Sequence, residues 1–162
     1  AQAKAHRARV KGFTLAQAGL AGTDWLCVVG VGAKTRVKLE IATRNGTPAF
    51  VFHSADRLDD WKKGSLMTGD NTVPLIGALP SFLGRQNIVC VTPDDFGYWE
   101  LMDSGLAKAQ GFHGFIPAMD MIHRLIVRHF TGRPDPHGNT WGRRLPGVKA
   151  WAPPIPLAEK TS

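Results

Sequence analysis

The sequence has few of the residues and patterns that identify common kinds of site. Its only two cysteines, Cys27 and Cys90, each lie within an apolar run. Such a setting is typical of small buried hydrophobic residues and does not fit a metal site or a disulfide framework. The six histidines have neither an HxxxH nor a Cys-His spacing, so we expect no metal centre. No apolar run reaches the length of a membrane span and no signal-peptide pattern opens the chain, so no compartment is indicated.

A nucleotide-binding loop is also missing, although residues 30–35 read Gly-Val-Gly-Ala-Lys-Thr. A Walker loop needs glycine directly before its lysine, and Ala33 holds that place. The third glycine of a dinucleotide fingerprint is replaced by Thr35. We therefore predict no cofactor-binding residues and no cofactor.

The chain carries a formal net charge of +7, with the basic excess near its two ends. Such a balance is compatible with a nucleic acid or an anionic membrane surface as partner. No nucleic-acid-binding signature accompanies the charge, so we predict no nucleic-acid partner. No apolar pattern supports a membrane partner either, and solvated chain ends explain the charge most simply.

What the sequence does contain is the pattern of one α/β domain, and its 162 residues suffice for one core. Continuous apolar runs at residues 25–32 and 87–92 predict two strands buried on both faces, as in a mostly parallel sheet. Residues 35–41 and 50–52 flank an Asn-Gly pair, which predicts a β-hairpin with one wet face.

Pro117 is predicted to open an amphipathic helix that Gly132 ends. Its apolar stripe recurs at three- and four-residue spacing and consists of Met121, Ile122, Leu125, Ile126 and Phe130. We accordingly divide the chain into a basic N-terminal helix or arm (residues 1–24), an α/β region (25–132) and a surface tail (133–162). The tail has six prolines and the anchors Trp141 and Trp151, which favours an extended segment over a second domain.

Two residues stand out as candidates for chemistry. Asp70 lies on a turn, residues 69–74, that reads Gly-Asp-Asn-Thr-Val-Pro. His113 follows the second buried strand and is flanked by Gly111 and Gly114, so a loop can aim its ring and nearby phenylalanines can shield it. An acid followed by a histidine is the chain order of these groups in an α/β-hydrolase triad. Position alone would also fit an ordinary turn aspartate and an idle loop histidine.

The remaining histidines fit that arrangement less well. His53 precedes Asp70, which is the wrong order. His123 and His129 belong to the predicted helix, where His123 is structural or exposed and His129 benefits from the helix dipole. We therefore select Asp70 and His113.

Three segments resemble the lecithin–cholesterol acyltransferase-like α/β-hydrolases. The first predicted strand, followed by residues 30–35, resembles that family's strand and the Gly-x-Gly-x-x-Thr pattern after it. Residues 69–74 resemble its Gly-Asp-Gly-Thr-Val-Pro acid turn, with Asn71 in place of the usual glycine. Residues 111–114 resemble its catalytic-histidine loop. The similarity spans about residues 25–130. It implies that Asp70 is the triad acid and His113 the general base of an enzyme that cleaves or transfers acyl groups through a serine acyl-enzyme.

The third member of a triad is absent from the sequence pattern. None of the serines, which are Ser54, Ser65, Ser81, Ser104 and Ser162, lies on a Gly-x-Ser-x-Gly elbow, and the oxyanion hole of this fold goes with that elbow. We therefore expect the C-terminal portion of an α/β-hydrolase sheet, completed by a second polypeptide that carries the nucleophilic serine and the oxyanion hole. The alternative is a non-catalytic binding or assembly module whose basic ends contact an acidic partner.

Overall fold

The computed structural model describes residues 2–55, 68–97, 112–135 and 142–156. In chain order its elements are helix α1 (Gln2–Lys11), strands β1 (Cys27–Gly30), β2 (Thr35–Arg44) and β3 (Thr47–Ala55), helix α2 (Leu75–Ala78), strand β4 (Ile88–Val91), and helices α3 (Phe112–Phe115) and α4 (Asp120–Thr131). Short 3-10 helices lie at Ala16–Ala18, Gly22–Asp24, Arg85–Asn87, Pro93–Asp95 and Ile116–Ala118. This mixture of helices and small sheets is of the α/β class.

Strands β1 and β4 pair in parallel, from Cys27 opposite Ile88 to Gly30 opposite Val91. Successive side chains of a strand point to opposite faces. Val89 and Val91 accordingly join a cluster with the buried side of α4, while Ile88 and Cys90 join a second cluster on the other face. Both faces are covered, which explains the continuous apolar runs and confirms the two predicted strands.

Strands β2 and β3 form the predicted antiparallel hairpin. Asn45 and Gly46 at its tip have φ angles of 51° and 76°, as a type I′ turn requires. The expectation of only one wet face is wrong, because the apolar face is more than half exposed as well. Its four residues are Leu39, Ile41, Phe50 and Phe52, with exposures of 53–68%. The hairpin projects from the core and is not folded back onto it.

Helix α4 confirms the predicted amphipathic helix with a different start. The helix begins at Asp120, and Pro117 lies in the preceding 3-10 helix. The extended backbone of Met119, with ψ of 127°, separates the two. Gly132 ends the helix in a left-handed conformation, as predicted, with its N–H donating to the Arg128 carbonyl oxygen.

The apolar stripe of α4 is only partly covered. Met121, Ile122 and Leu125 are buried, whereas Ile126 is exposed and Phe130 is 81% exposed. None of the helices within the described ranges is long and apolar enough to cross a bilayer.

The two ends of the chain differ in how they meet the core. Helix α1 has no buried residue. In the C-terminal part, residues 142–156 contain neither helix nor strand, Leu145 and Ile155 are buried, and Arg143 forms an antiparallel bridge with Cys90. This segment therefore covers the outer edge of β4.

Several sequence-based expectations fall outside the described residues. Residues 56–63 are charged and contain Trp61, which predicts a short surface helix or loop, and residues 96–102 are rich in aromatic residues, which predicts an edge strand or a pocket wall. The first segment and most of the second lie outside the described residues, as do Gly111 of the histidine loop and the tail anchor Trp141.

Candidate active site

Asp70 and His113, forty-three positions apart, are in direct contact. The Asp70 Oδ2 atom lies 2.7 Å from the His113 Nδ1 atom. The carboxylate is almost enclosed, with 9% of its side chain exposed, whereas the imidazole is 50% exposed. The phenylalanines beside His113 thus do not shield its ring from water as the sequence suggested. The pair joins a buried carboxylate to a histidine that solvent and other molecules can reach.

Parallel strand pairing explains why the two residues meet. The carboxyl ends of β1 and β4 lie at the same edge of the sheet. The acid turn returns to the end of β1, where Ala33 bridges to Gly69 and Asp70, and the histidine comes after β4. Phe112, which is buried, anchors the short helix that carries His113.

Gly30, the last residue of β1, lies at the point where the acid turn and the histidine helix approach each other. A Cβ atom added there would lie 2.5 Å from the Asp70 Cβ and 2.6 Å from the Ile116 Cδ1. These distances are shorter than side chains tolerate. The absence of a side chain at Gly30 is therefore what allows the pair to pack over the strand end.

The Asp70 carboxylate is oriented by its own turn. Its Oδ1 atom accepts hydrogen bonds from the backbone N–H groups of Val73 at 2.7 Å and Thr72 at 3.0 Å. These donors fix the carboxylate plane and leave Oδ2 for the histidine.

The acid turn is clamped to the segment that follows β1. Thr35, which is fully buried, accepts a hydrogen bond at its Oγ1 from the Asn71 backbone N–H at 2.8 Å. The Asn71 side-chain amide donates to the Lys34 carbonyl oxygen at 3.1 Å, and the Ala33 N–H donates to the Gly69 carbonyl oxygen at 3.0 Å. Residues 33–35, which belong to the segment that lacks the full pattern of a nucleotide-binding loop, therefore hold the turn that carries the Asp70 carboxylate.

Asn71 stands where the resembled family has glycine, and the backbone explains both choices. Its φ angle is 84°, in the left-handed region that favours glycine and that asparagine tolerates better than other residues. The two hydrogen bonds from Asn71 hold this conformation. Asparagine at this position thus maintains a left-handed turn of the kind that glycine would also allow.

The geometry also selects the protonation pattern of the imidazole. Because Nδ1 faces a carboxylate oxygen, the neutral form of the imidazole has its proton on Nδ1, which donates it, and its lone pair on Nε2. Within the described residues Nε2 makes no hydrogen bond. A half-exposed Nε2 held in this tautomer can accept a proton from a hydroxyl group placed against it.

Three other histidines have hydrogen-bonding partners. His53 pairs with Glu40 on the hairpin at 2.9 Å, and His129 Nδ1 lies 3.1 Å from the Pro154 carbonyl oxygen. His123 is exposed and its Nε2 lies 2.8 Å from the Pro117 carbonyl oxygen. His137 lies outside the described residues. In the part of the chain that the structure describes, no three His, Cys, Asp or Glu side chains could hold a metal ion together.

No nucleophile meets His113 among the described residues. Ser54 and Ser81 are the serines described, and neither forms a hydrogen bond with it. The cysteines are poor candidates because burial raises the pKa of the Cys27 thiol. Burial, together with the nearby Cys27, raises the pKa of Cys90 to about 12. Both thiols are therefore protonated at neutral pH, and a thiolate is what attacks.

No family model, curated protein or solved structure matches this chain.

Proposed function

We propose that this chain supplies the acid and the base of a serine esterase, lipase or acyltransferase of the α/β-hydrolase class, as its resemblance to the lecithin–cholesterol acyltransferase-like enzymes implies. The observation that carries the proposal is the 2.7 Å contact between Asp70 Oδ2 and His113 Nδ1, with Oδ1 held by its own turn. The substrate is a small ester or a lipid-like acyl compound. A second polypeptide contributes the serine and the oxyanion hole.

In this mechanism His113 acts first as base and then as acid. Nε2 takes the proton of the serine hydroxyl as its oxygen attacks the acyl carbonyl carbon. Asp70 stabilises the resulting imidazolium and keeps its ring in place. Nε2 then gives the proton to the leaving alcohol, the C–O bond breaks and an acyl-enzyme forms. Water or another alcohol, deprotonated by the same Nε2, then attacks the acyl carbon, and Nε2 returns the proton to the serine oxygen as the serine ester bond breaks.

The lateral edge of the β1–β4 sheet at β1 supports the proposal of a partner chain. Strand β4 is bordered by β1 on one edge and by the Arg143 bridge on the other, whereas β1 has no second strand neighbour among the described residues. An isolated pair of strands is a marginal structure. A parallel strand could pair with β1 on the side away from β4 and extend the sheet. It would then lie next to the strand whose last residue, Gly30, packs against Asp70.

An exposed apolar groove beside β1 supports the same interpretation. It has a volume of about 500 Å³, and its walls include Trp25 and Val28 on one side and Ile126 and Phe130 on the other. Covering these side chains would favour association through the hydrophobic effect. The groove and the free edge of β1 are therefore where we expect the second polypeptide.

A second candidate function is a non-catalytic binding module for an acidic partner. It is favoured by helix α1, which is exposed throughout and carries Lys4, His6, Arg7, Arg9 and Lys11. This alternative leaves the Asp70–His113 pair without a role.

A fluorophosphonate probe separates the two functions. The chain is purified from its native source without denaturant, and intact mass spectrometry shows which polypeptides accompany it. Label on a serine of an accompanying chain, lost on heat denaturation, is the result expected of the hydrolase. A purified chain with neither a companion nor any label would overturn the hydrolase proposal and leave the binding module.

A further inference from the structure

The C-terminal segment approaches the outer edge of β4 so closely that a side chain would not fit between them. Arg143 exchanges two backbone hydrogen bonds with Cys90, at 2.8 and 2.9 Å. A Cβ atom added at Gly142 would lie 2.5 Å from the Val89 Cγ1 atom and 2.8 Å from the Cys90 carbonyl oxygen. Gly142 also has a φ angle of 106°, which favours glycine. Arg143 is therefore held at a fixed point along the strand.

The Arg143 side chain extends this attachment beyond the end of β4. Its guanidinium donates to the Asp95 Oδ2 atom. The same oxygen accepts the backbone N–H of Thr92 at 2.7 Å, and Thr92 is fully buried directly after the strand. Because the Asp95 side chain is only 9% exposed, its charge depends on these donors. The carboxylate thus ties the 3-10 helix that it ends to the strand and to the C-terminal segment.

The residue that follows this 3-10 helix contacts the helix that carries the histidine. The Phe96 and Phe112 rings meet edge to face, with centroids 5.8 Å apart and planes at 80°. Phe112 is buried and directly precedes His113. It also approaches Gly30, where an added Cβ atom would lie 3.1 Å from the Phe112 Cε1 atom. Phe112 is therefore packed between the end of β1 and the Phe96 ring.

We propose that Arg143 is a positioning residue for His113. Its ion pair with Asp95 fixes the 3-10 helix, and that helix fixes Phe96, the next residue in the chain. The Phe96 ring in turn keeps Phe112 against the end of β1, since a close-packed interior transmits displacements between neighbouring side chains. His113 comes directly after Phe112, so its alignment with the acid depends on the C-terminal segment.

The effect of Arg143 on catalysis rests on the proposed hydrolase function. In that enzyme a misplaced imidazole slows proton transfer and leaves substrate binding unchanged, so loss of Arg143 should lower kcat without raising KM. The effect on the hydrogen bond between Asp70 and His113 is a property of this chain and requires no turnover.

The test measures how fast the His113 Nδ1 proton exchanges with water in the whole ¹⁵N-labelled chain. In Arg143→Gln we expect exchange about tenfold faster, since a charge-assisted contact that holds the histidine helix is lost. Arg143→Lys keeps the charge but not the fork of donors, and should give a smaller increase. The amide of Val29, in the core of β1, reports global unfolding, and its exchange should rise less than that of the Nδ1 proton.

Arg144→Gln is the matched control, because this neighbouring arginine loses the same charge and its guanidinium donates to the Lys149 carbonyl oxygen in an exposed position. Its exchange rate should stay within about twofold of the wild type. Phe96→Leu leaves the ion pair intact, removes the ring contact and should also speed exchange.

Three results would overturn the proposal. These are equal rates in Arg143→Gln and Arg144→Gln, an unchanged rate in Phe96→Leu, and an increase that the Val29 amide matches. Faster Nδ1 exchange in Arg143→Gln, together with no turnover in any preparation, would remove the hydrolase proposal and support the positioning of His113 by Arg143.

Discussion

The backbone N–H of Asn71 donates to the Thr35 Oγ1 atom, which lies thirty-six positions earlier in the chain. The same hydroxyl donates to the Ala33 carbonyl oxygen. Thr35 therefore links the end of the segment after β1 to the turn that carries Asp70. The orientation of the acid therefore depends on a side chain that makes no hydrogen bond with the histidine.

Replacing Thr35 should loosen the acid turn. Thr35→Val keeps the shape of the buried side chain but removes the acceptor of the Asn71 N–H, and we expect a loss of about 1–3 kcal/mol in the free energy of unfolding. Urea unfolding of the purified chain measures this loss. Thr35→Ser retains the hydroxyl and serves as the control for the turn, which should keep its amide chemical shifts at Asn71. An unchanged unfolding curve for Thr35→Val would contradict the clamp.

A side chain at Gly30 should separate the acid turn from the histidine helix. Gly30→Ala places a methyl group against the Cβ of Asp70 and against Ile116, and overpacking of this kind costs about 1–3 kcal/mol. The change should also weaken the Nδ1–H···Oδ2 hydrogen bond, which the His113 Nδ1 proton resonance reports.

Gly114→Ala is the matched control for Gly30, because nothing lies within 4 Å of the added methyl group. We expect this variant to retain the stability and the His113 resonance of the wild type. Equal effects of the two substitutions would show that the close packing at Gly30 is not responsible.

Removing either member of the pair should abolish turnover in the intact assembly. Asp70→Asn and His113→Ala are each expected to lower kcat for a chromogenic ester by on the order of 10⁴-fold, since one removes the carboxylate charge that fixes the tautomer and stabilises the imidazolium and the other removes the base. His53→Ala, on the hairpin, is the control and should leave kcat unchanged. Turnover close to that of the wild type in either site variant would remove the catalytic assignment.

Stability should fall at high pH because of Cys90. Its pKa is about 12 in the folded chain against 9.0 for an ordinary thiol. Between these values the unfolded thiol loses its proton first, so the unfolded state binds fewer protons and the free energy of unfolding decreases as pH rises, by at most about 1.4 kcal/mol per pH unit.

Urea unfolding at pH 8, 9, 10 and 11 tests this dependence. Cys90→Ala should show a shallower decline than the wild type, with a smaller slope left from Cys27, whose pKa burial also raises. Parallel pH dependences for the two proteins would contradict the assignment to Cys90.

Local patterns in the sequence sufficed for the strands and the hairpin, whereas chain order and the family resemblance singled out Asp70 and His113, which the structure brings into contact. The apolar runs around Val28 and Val89 are short and β-branched, which favours buried strands, and Asn45-Gly46 specifies its own turn. The start of α4 was misplaced because Pro117 suits the first turn of a 3-10 helix as well as that of an α-helix. That difference depends on the extended backbone of Met119.

The contacts that support the site could not be predicted in the same way. The Thr35–Asn71 clamp and the space at Gly30 join segments that meet only after the hairpin and the sheet have formed. No spacing in the sequence indicates them, because an interaction over thirty-six residues has no period. The exposure of the hairpin was missed for a related reason, since alternation predicts an apolar face but not whether another element covers it.

The double link between Gly32–Ala33 and Thr68–Gly69 has a practical meaning for redesign. The Gly32 N–H donates to Thr68 Oγ1 at 2.9 Å, and the Ala33 N–H donates to the Gly69 carbonyl oxygen. The chain thus leaves this point after Ala33 and returns to it at Thr68, two residues before Asp70. Because Lys34 and Thr35 belong to the clamp on the acid turn, only the hairpin beyond them is weakly coupled to the chemistry through its length, so a new recognition loop could replace the hairpin tip while Asp70 keeps its orientation.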